Sequence, residues 1–263
     1  MNVQQFTSII HLCAACNCNV GKRREKNEDN FYFDDRILPQ ENIGLKRAIS
    51  AQLSVEHSVS FGIFDGMGGE ADGQIASFLS ASVFKRDCAT LNDYVMRPKE
   101  FLRDAVTHMN DAVWPIAEEN FNHMGSTAVI LHFVEDEVYV CNVGDSKAFR
   151  LRQKGFQQLS KDHTDAEFLE KMGIKNRRPK LTQCIGVSPD EMELEPYIAK
   201  GKVESGDQYL LCSDGLTDMV APEQIGIIME ESSDARSCAE QLVAVALKNG
   251  GRDNTTVIVV RVE

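Results

Sequence analysis

The chain has 263 residues, 43% of them hydrophobic and 26% charged, and Asp plus Glu outnumber Lys plus Arg by 40 to 28, for a formal charge of −12. This is the composition of a soluble globular protein with room for a core of ordinary size; the acidic balance argues against a nucleic-acid partner and weakly favours cations. No apolar run reaches the roughly 18 residues of a membrane span, and Met1-Asn2-Val3-Gln4-Gln5 lacks a basic leader region, so no membrane partner and a cytoplasmic location are expected.

Residues 6–18 carry Phe6, Ile9, Ile10, Leu12 and three cysteines and read as a first or edge strand, closed by Gly21. A zinc site at Cys13, Cys16 and Cys18 would need a fourth ligand, and His11 alone stands near. Reduced thiols are therefore expected there, and Cys88, Cys141, Cys184, Cys212 and Cys238 lie in apolar segments as small hydrophobes. The charged run from Lys22 to Asn30 reads as a turn before the strand Phe31-Tyr32-Phe33, and 36–57 as a polar connection with short helix or strand pieces.

Phe61-Gly62-Ile63-Phe64 is a buried strand that ends in Asp65 and a cluster of glycines. From Glu70 the period turns helical, with Ile75, Phe78, Leu79 and Val83 as the core stripe of a helix reaching about residue 88. A second helix presents Leu102, Ala105, Val106, Met109 and Val113 and ends around Trp114-Pro115 or shortly after. Residues 125–134 and 138–143 form a hairpin; Ala148 to Leu151 and Phe156 extend it around Gly155 as a meander, with His123 and His132 as ordinary polar contacts. Thr164 or Asp165 caps a short helix, the basic stretch 175–180 is an exposed loop, and strands follow near 194–199 and at 208–213. Ile225, Ile228 and Met229 mark one helix; Cys238, Leu242, Val245 and Ala246 mark another that stops at Gly250-Gly251, before a last strand from Thr255 to Val262. Nothing divides the chain, so one α+β domain over 1–263 is expected.

Asp65, Asp145, Asp214 and Asp253 each adjoin glycine, or a glycine-containing turn, at the edge of an apolar strand, and Glu28 and Asp29 add two acids in the first charged turn. Any one Asp-Gly reads more readily as a turn than as a ligand. Their repetition points to convergence, and gathered carboxylates need opposing charge or some of them protonate. Oxygen-only ligation suits Mg²⁺ or Mn²⁺ better than zinc; the Gly66 carbonyl is a further candidate ligand, and Arg24 offers a bidentate fork to an anion.

Taken in order, Arg24 with Asn27-Glu28-Asp29, Asp65-Gly66-Met67-Gly68-Gly69, Gly125-Ser126-Thr127, Val143-Gly144-Asp145-Ser146, Asp162-His163-Thr164, Ser213-Asp214-Gly215-Leu216-Thr217-Asp218 and Arg252-Asp253-Asn254-Thr255-Thr256 resemble the bacterial type-2C, PPM-type, metal-dependent Ser/Thr protein phosphatases. The resemblance implies a four-layer αββα sandwich, two antiparallel sheets flanked by helix pairs, with a dinuclear Mn²⁺ or Mg²⁺ site. It makes Asp65 the bridge between two ions, with Gly66 giving its carbonyl, Asp214 and Asp253 completing one shell, Asp29 and Glu28 serving the other, and Asp145 holding a looser third ion. Arg24 would hold the phosphate, and the implied reaction is direct attack of a metal-bridging water or hydroxide on phosphoserine or phosphothreonine.

The implied partners are phosphorylated proteins, substrates of a Ser/Thr kinase, and a monomer is expected. Met67 stands where eukaryotic members carry a candidate general-acid His, and Glu70 where many bacterial members carry a His. The flap segment 165–180 looks short and holds Arg177, Arg178 and Lys180, which are expected to contact acidic or phosphorylated substrates. Two alternatives are a non-catalytic regulatory domain of the same fold, disfavoured because no acid of the set is missing, and a two-metal phosphodiesterase, disfavoured by the lack of paired His.

Overall fold

A computed structural model describes residues 9–68, 72–90, 97–119 and 124–263. Among the described residues, the strands in chain order are β1 Ile10–Asn19, β2 Asp29–Tyr32, β3 Ile49–Val55, β4 Ser58–Met67, β5 Gly125–Ser126, β6 Ala128–Val134, β7 Glu137–Val143, β8 Lys147–Arg152, β9 Gly155–Gln158, β10 Tyr197–Lys202, β11 Gln208–Cys212 and β12 Thr255–Val262. The helices among them are α1 Asp72–Ala89, α2 Pro98–Glu119, α3 Ala166–Lys171, α4 Asp214–Thr217, α5 Pro222–Glu231 and α6 Ala235–Lys248.

The strands make two antiparallel sheets, one ordered β3-β1-β12-β11-β8-β9 and the other β10-β7-β6-β4-β2, with β5 paired to β4. Their strands read as nearly continuous apolar runs because both faces of each sheet are covered. Along β6, Val129, Leu131 and Phe133 point into the core between the sheets, while Ala128 and Ile130 meet the layer of α1 and α2. Along β12, Ile258 and Val260 face inward, while Val257 and Val259 pack against α5 and α6. The fold is thus α+β, two antiparallel sheets between helix pairs, as the resemblance implies.

Several sequence expectations shift in the structure. β3 lies inside the stretch read as a polar connection; its alternation Ile49-Ser50-Ala51-Gln52-Leu53-Ser54-Val55 suits an edge strand covered on one face. The start of the first helix at Glu70 lies outside the described residues, as do Gly69, His123 and the tail before Ile9. In α1 the fully buried face is Ala76, Ser77, Ser80, Ala81 and Phe84, whereas Ile75, Phe78 and Leu79 are half-buried beside it. Small side chains let this helix approach its sheet closely, and Ser80 returns its hydroxyl to Ala76 O at 2.8 Å, so it packs like an apolar residue.

The second helix runs through Pro115 and ends shortly after it at Glu119, within the expected bound, because Val113 and Ala117 on either side are buried in the core it shares with α1. That packing outweighs the lost hydrogen bond. The strand expected at 194–199 forms three residues later. Asp165 begins α3 without capping it; its carboxylate accepts from Arg177 and from the Lys180 N–H instead. All eight cysteines are free, as expected for reduced thiols. His132 is buried beside Phe101 and bonds Ser60 Oγ at 2.8 Å, and burial lowers its pKa to about 4.

Candidate metal centre

In β2 and β4 the register sets Asp29 directly opposite Asp65. Like charges facing each other across a strand pair destabilise a sheet unless something compensates them. The chain enforces the pairing from both sides: Gly66 N–H donates to Glu28 O at 3.0 Å and Thr127 N–H donates to Asp65 O at 2.8 Å. Gly66 also lies so close to the start of α1 that a Cβ there would stand 1.9 Å from Gly73 O. Only glycine permits this approach.

The other sheet delivers its acids to the same place. Asp214 opens α4 directly after β11, and Asp253 precedes β12. The two turns interlock, since a Cβ at Gly215 would fall 1.9 Å from Asn254 O. Asn254 then ties the first charged turn to this corner: its Oδ1 accepts from Glu28 N–H at 2.7 Å, and its Nδ2 donates to Val20 O and Lys26 O at 2.9 and 3.0 Å. Asp145 arrives from the turn between β7 and β8. A cleft of about 330 Å³ results, lined by Arg24, Glu28, Asp65, Gly66, Met67, Asp145, Asp214 and Asp253, among others, with Arg178 at the flap side.

These acids sit in surroundings that oppose their charge. Burial, then the charges of Asp29, Asp214, Asp145 and Asp253, pushes the Asp65 carboxyl well above the usual carboxylate range. Asp29 rises to about 7 through burial, against the hydroxyl hydrogen bonds that oppose the shift, and Asp214 rises to about 7 through burial and then Asp145. Burial also raises Asp145 and Glu28. Asp29 Oδ2 accepts from Ser213 Oγ at 2.8 Å and from Thr256 Oγ1 at 2.6 Å, while its Oδ1 is buried with no partner among the described residues.

Two arginines offset part of the charge. Arg24 pairs with Asp253 at 2.9 Å and Glu28 at 3.3 Å, and Arg178 pairs with Asp214 at 2.9 Å and Asp218 at 2.8 Å. Both guanidiniums are largely open to water, 47% and 68% exposed, so these pairs contribute little. Among the described residues, no three acidic, His or Cys side chains already close on one point as a ready ligand shell; Arg24 and Arg178 engage Asp253 and Asp214 instead. The donor set still fits hard divalent cations in its chemistry: oxygens only, net negative, with a buried carboxylate oxygen that no group among the described residues satisfies.

Of the residues singled out from the sequence as metal or phosphate contacts, Arg24, Glu28, Asp65, Gly66, Asp145, Asp214 and Asp253 line the cleft, whereas Asp29 is buried opposite Asp65 and does not line it. The flap differs from expectation. Arg178 turns inward onto Asp214 and Asp218, and Arg177 turns back onto Asp165. Asp218, four residues after Asp214 and within the quoted motif, is a partner of Arg178 that the sequence does not assign, although the helical i, i+4 spacing places it beside Asp214. Thr127, Ser213 and Thr256 stand within the motifs quoted from the sequence but without an assigned role, because their hydrogen bonds to Asp65 and Asp29 come from long-range packing.

A family model for protein phosphatase 2C matches residues 34–186. That span holds Asp65 and Asp145, while Arg24, Glu28, Asp29, Asp214 and Asp253 lie outside it. The chain is 30% identical over 248 residues to serine/threonine protein phosphatase PstP of Mycobacterium tuberculosis, covering 91% of this chain but 43% of that protein. It therefore spans less than half the length of this relative. It is also 30% identical over 206 residues to protein phosphatase PhpP of Streptococcus pneumoniae, covering 74% of this chain and 82% of that one. Among solved structures, the catalytic domain of PstP in complex with 2 manganese ions superimposes with a TM-score of 0.75 at 27% identity, over 96% of this chain and 99% of that one.

Proposed function

The chain belongs to the protein phosphatase 2C family, and on that premise we propose that residues 1–263 are a metal-dependent catalytic domain that hydrolyses phosphoserine and phosphothreonine in proteins. The observation that carries this reading is the register opposition of Asp29 and Asp65, completed by Asp214 and Asp253 from the other sheet. Asp65, the Gly66 carbonyl, Asp214, Asp253, Asp29 and Glu28 would hold two Mn²⁺ or Mg²⁺ ions, and Asp145 a looser third. Ions held there would polarise a phosphoryl oxygen and acidify water.

The chain's own groups supply binding and orientation. Arg24 lines the cleft beside Asp253, and its planar fork matches two phosphoryl oxygens. Met67 also lines the cleft and has no proton to give. The leaving alkoxide then takes its proton from water, and the proposed reaction is a direct displacement by water with no phosphoenzyme. The substrates would be phosphorylated proteins, the products of a Ser/Thr kinase.

The test is hydrolysis of a chromogenic aryl phosphate and of a matching phosphodiester. Manganese-dependent turnover of the monoester, abolished by EDTA, is expected, with the diester inert. Binding without turnover would instead indicate a non-catalytic domain. Arg24→Ala is expected to raise KM by about 10-fold or more, the loss of a charge-assisted pair of bonds to phosphate. Its Tm should move by no more than about 2 °C, since the exposed pairs contribute little, and Arg24→Lys should not restore KM, because a lysine lacks the fork.

Arg178 lines the metal cleft, so the substrate-facing role of the flap is assigned to Lys180 and to Arg177, whose exposed pair with Asp165 contributes little. Neutralising both is expected to raise KM for an acidic phosphopeptide a few-fold while leaving aryl phosphate hydrolysis unchanged. Equal kinetics toward the peptide would remove the flap from substrate recognition.

A further inference from the structure

Cys18 and Thr256 are direct partners across β1 and β12, immediately behind Asp29. All three are buried, at 0%, 0% and 1% exposure. Thr256 Oγ1 lies 2.6 Å from Asp29 Oδ2 and 3.0 Å from Cys18 Sγ. A threonine hydroxyl has one proton to give. At 2.6 Å from a carboxylate that proton goes to Asp29, which leaves the hydroxyl oxygen as an acceptor toward the sulfur. A thiol buried among neutral groups and next to a carboxylate keeps its proton, so Cys18 S–H is the group that can donate to Thr256 Oγ1. From the far side, Asn27 Nδ2 donates to Cys18 Sγ at 3.1 Å, while also reaching Asn42 Oδ1 at 2.6 Å.

The result is a directed chain of donors, Asn27 to Cys18 to Thr256 to Asp29. Ser213 supports it twice, giving its own proton to Asp29 Oδ2 at 2.8 Å and accepting from the Thr256 N–H at 3.0 Å. Both hydroxyl bonds to Asp29 fall on Oδ2, and Oδ1 is left buried with no partner among the described residues. A carboxylate held by one oxygen from two hydroxyls cannot rotate without losing both bonds, so its other oxygen is fixed.

We propose that Cys18 and Thr256 are positioning residues that lock Asp29 with Oδ1 turned to the cation site, Cys18 acting through Thr256 by donating its thiol proton. The inference rests on the metal reading of the cleft, and it separates Cys18 from Cys16, which lies two residues away on the same face of β1 among apolar neighbours. An apolar residue at 18 would fill the core equally well but would leave the Thr256 oxygen without its donor.

The experiment titrates Mn²⁺ into the EDTA-stripped full chain by calorimetry, alongside Tm. Cys18→Ala and Thr256→Val are expected to weaken Mn²⁺ binding by about 10-fold or more, the range for groups that orient a ligand. Cys18→Ser and Thr256→Ser, which keep donor and acceptor, should stay within about 3-fold of the unmodified protein. If Cys18→Ala lowers Tm but binds Mn²⁺ as the unmodified chain does, Cys18 only packs and the proposal is overturned. An infrared spectrum of the metal-free chain gives a second readout. A red-shifted S–H stretch that disappears in Cys18→Ala and moves up in Thr256→Val supports the chain of donors, and an S–H band at the free-thiol position overturns it. Should the unmodified chain take up no Mn²⁺, the metal reading fails, while the S–H band still decides the positioning.

Discussion

Asp65→Asn is expected to reduce phosphate release by at least about 10³-fold while leaving the fold intact. Asparagine keeps the size of the side chain and one oxygen but removes the charge placed between Asp29 on one side and Asp214, Asp145 and Asp253 on the others. The ions proposed to bind there contribute several kcal/mol of charge stabilisation in the transition state, and each 1.36 kcal/mol is tenfold in rate. The stability of the metal-free protein should hold or rise, since a neutral amide at 65 relieves the repulsion with Asp29 directly opposite it. Calorimetry beside a phosphate-release assay checks both halves. Normal turnover by the Asn variant would remove Asp65 from the centre of the mechanism.

The metal-free protein is expected to lose stability as pH rises from about 5 to 8, and Mn²⁺ is expected to reverse the trend. Burial raises the folded pKa values of Asp29 and Asp214 to about 7 from the ordinary 3.8. Between those values the native state binds more protons than the unfolded chain, so the slope of stability against pH is negative. The contribution is complete below the unfolded pKa and is lost as pH passes through the folded one. Cations that replace the protons bind best where the acids are ionised, so their effect grows with pH. At 100 times its dissociation constant an ion adds about 2.7 kcal/mol, which for a chain of this size raises Tm by about 5 °C or more. Scanning calorimetry at the two pH values, with EDTA and with Mn²⁺, measures the effect. A metal-free Tm that climbs from pH 5 to 8 would contradict the electrostatics of the cleft.

Much of the site is legible in the sequence because strand, acid and glycine are written contiguously. Phe61 to Gly66 and Leu210 to Gly215 each announce a buried strand that turns at a carboxylate. What cannot be read there is register. Asp29 faces Asp65 only through the pairing of β2 with β4, and Cys18 faces Thr256 only through that of β1 with β12. Both are long-range pairings that local pattern does not encode. The edge strand Ile49–Val55 carries its alternation openly, yet polar neighbours on one side make it look like a loop. The buried face of α1 is hidden for another reason: Ser77 and Ser80 satisfy their hydroxyls on the helix itself, so residues that look polar occupy a core face. The inward turn of Arg178 depends on Asp214 and Asp218, which lie 36 and 40 residues away.

Release of inorganic phosphate from a phosphothreonine peptide, followed as Mn²⁺ is added to the EDTA-stripped chain, tests the two-ion phosphatase reading most directly. No release is expected without the ion, then turnover that rises and saturates with Mn²⁺, and complete loss on renewed chelation. Release that proceeds undiminished in EDTA, or peptide that binds with saturating Mn²⁺ and is never hydrolysed, would contradict that reading.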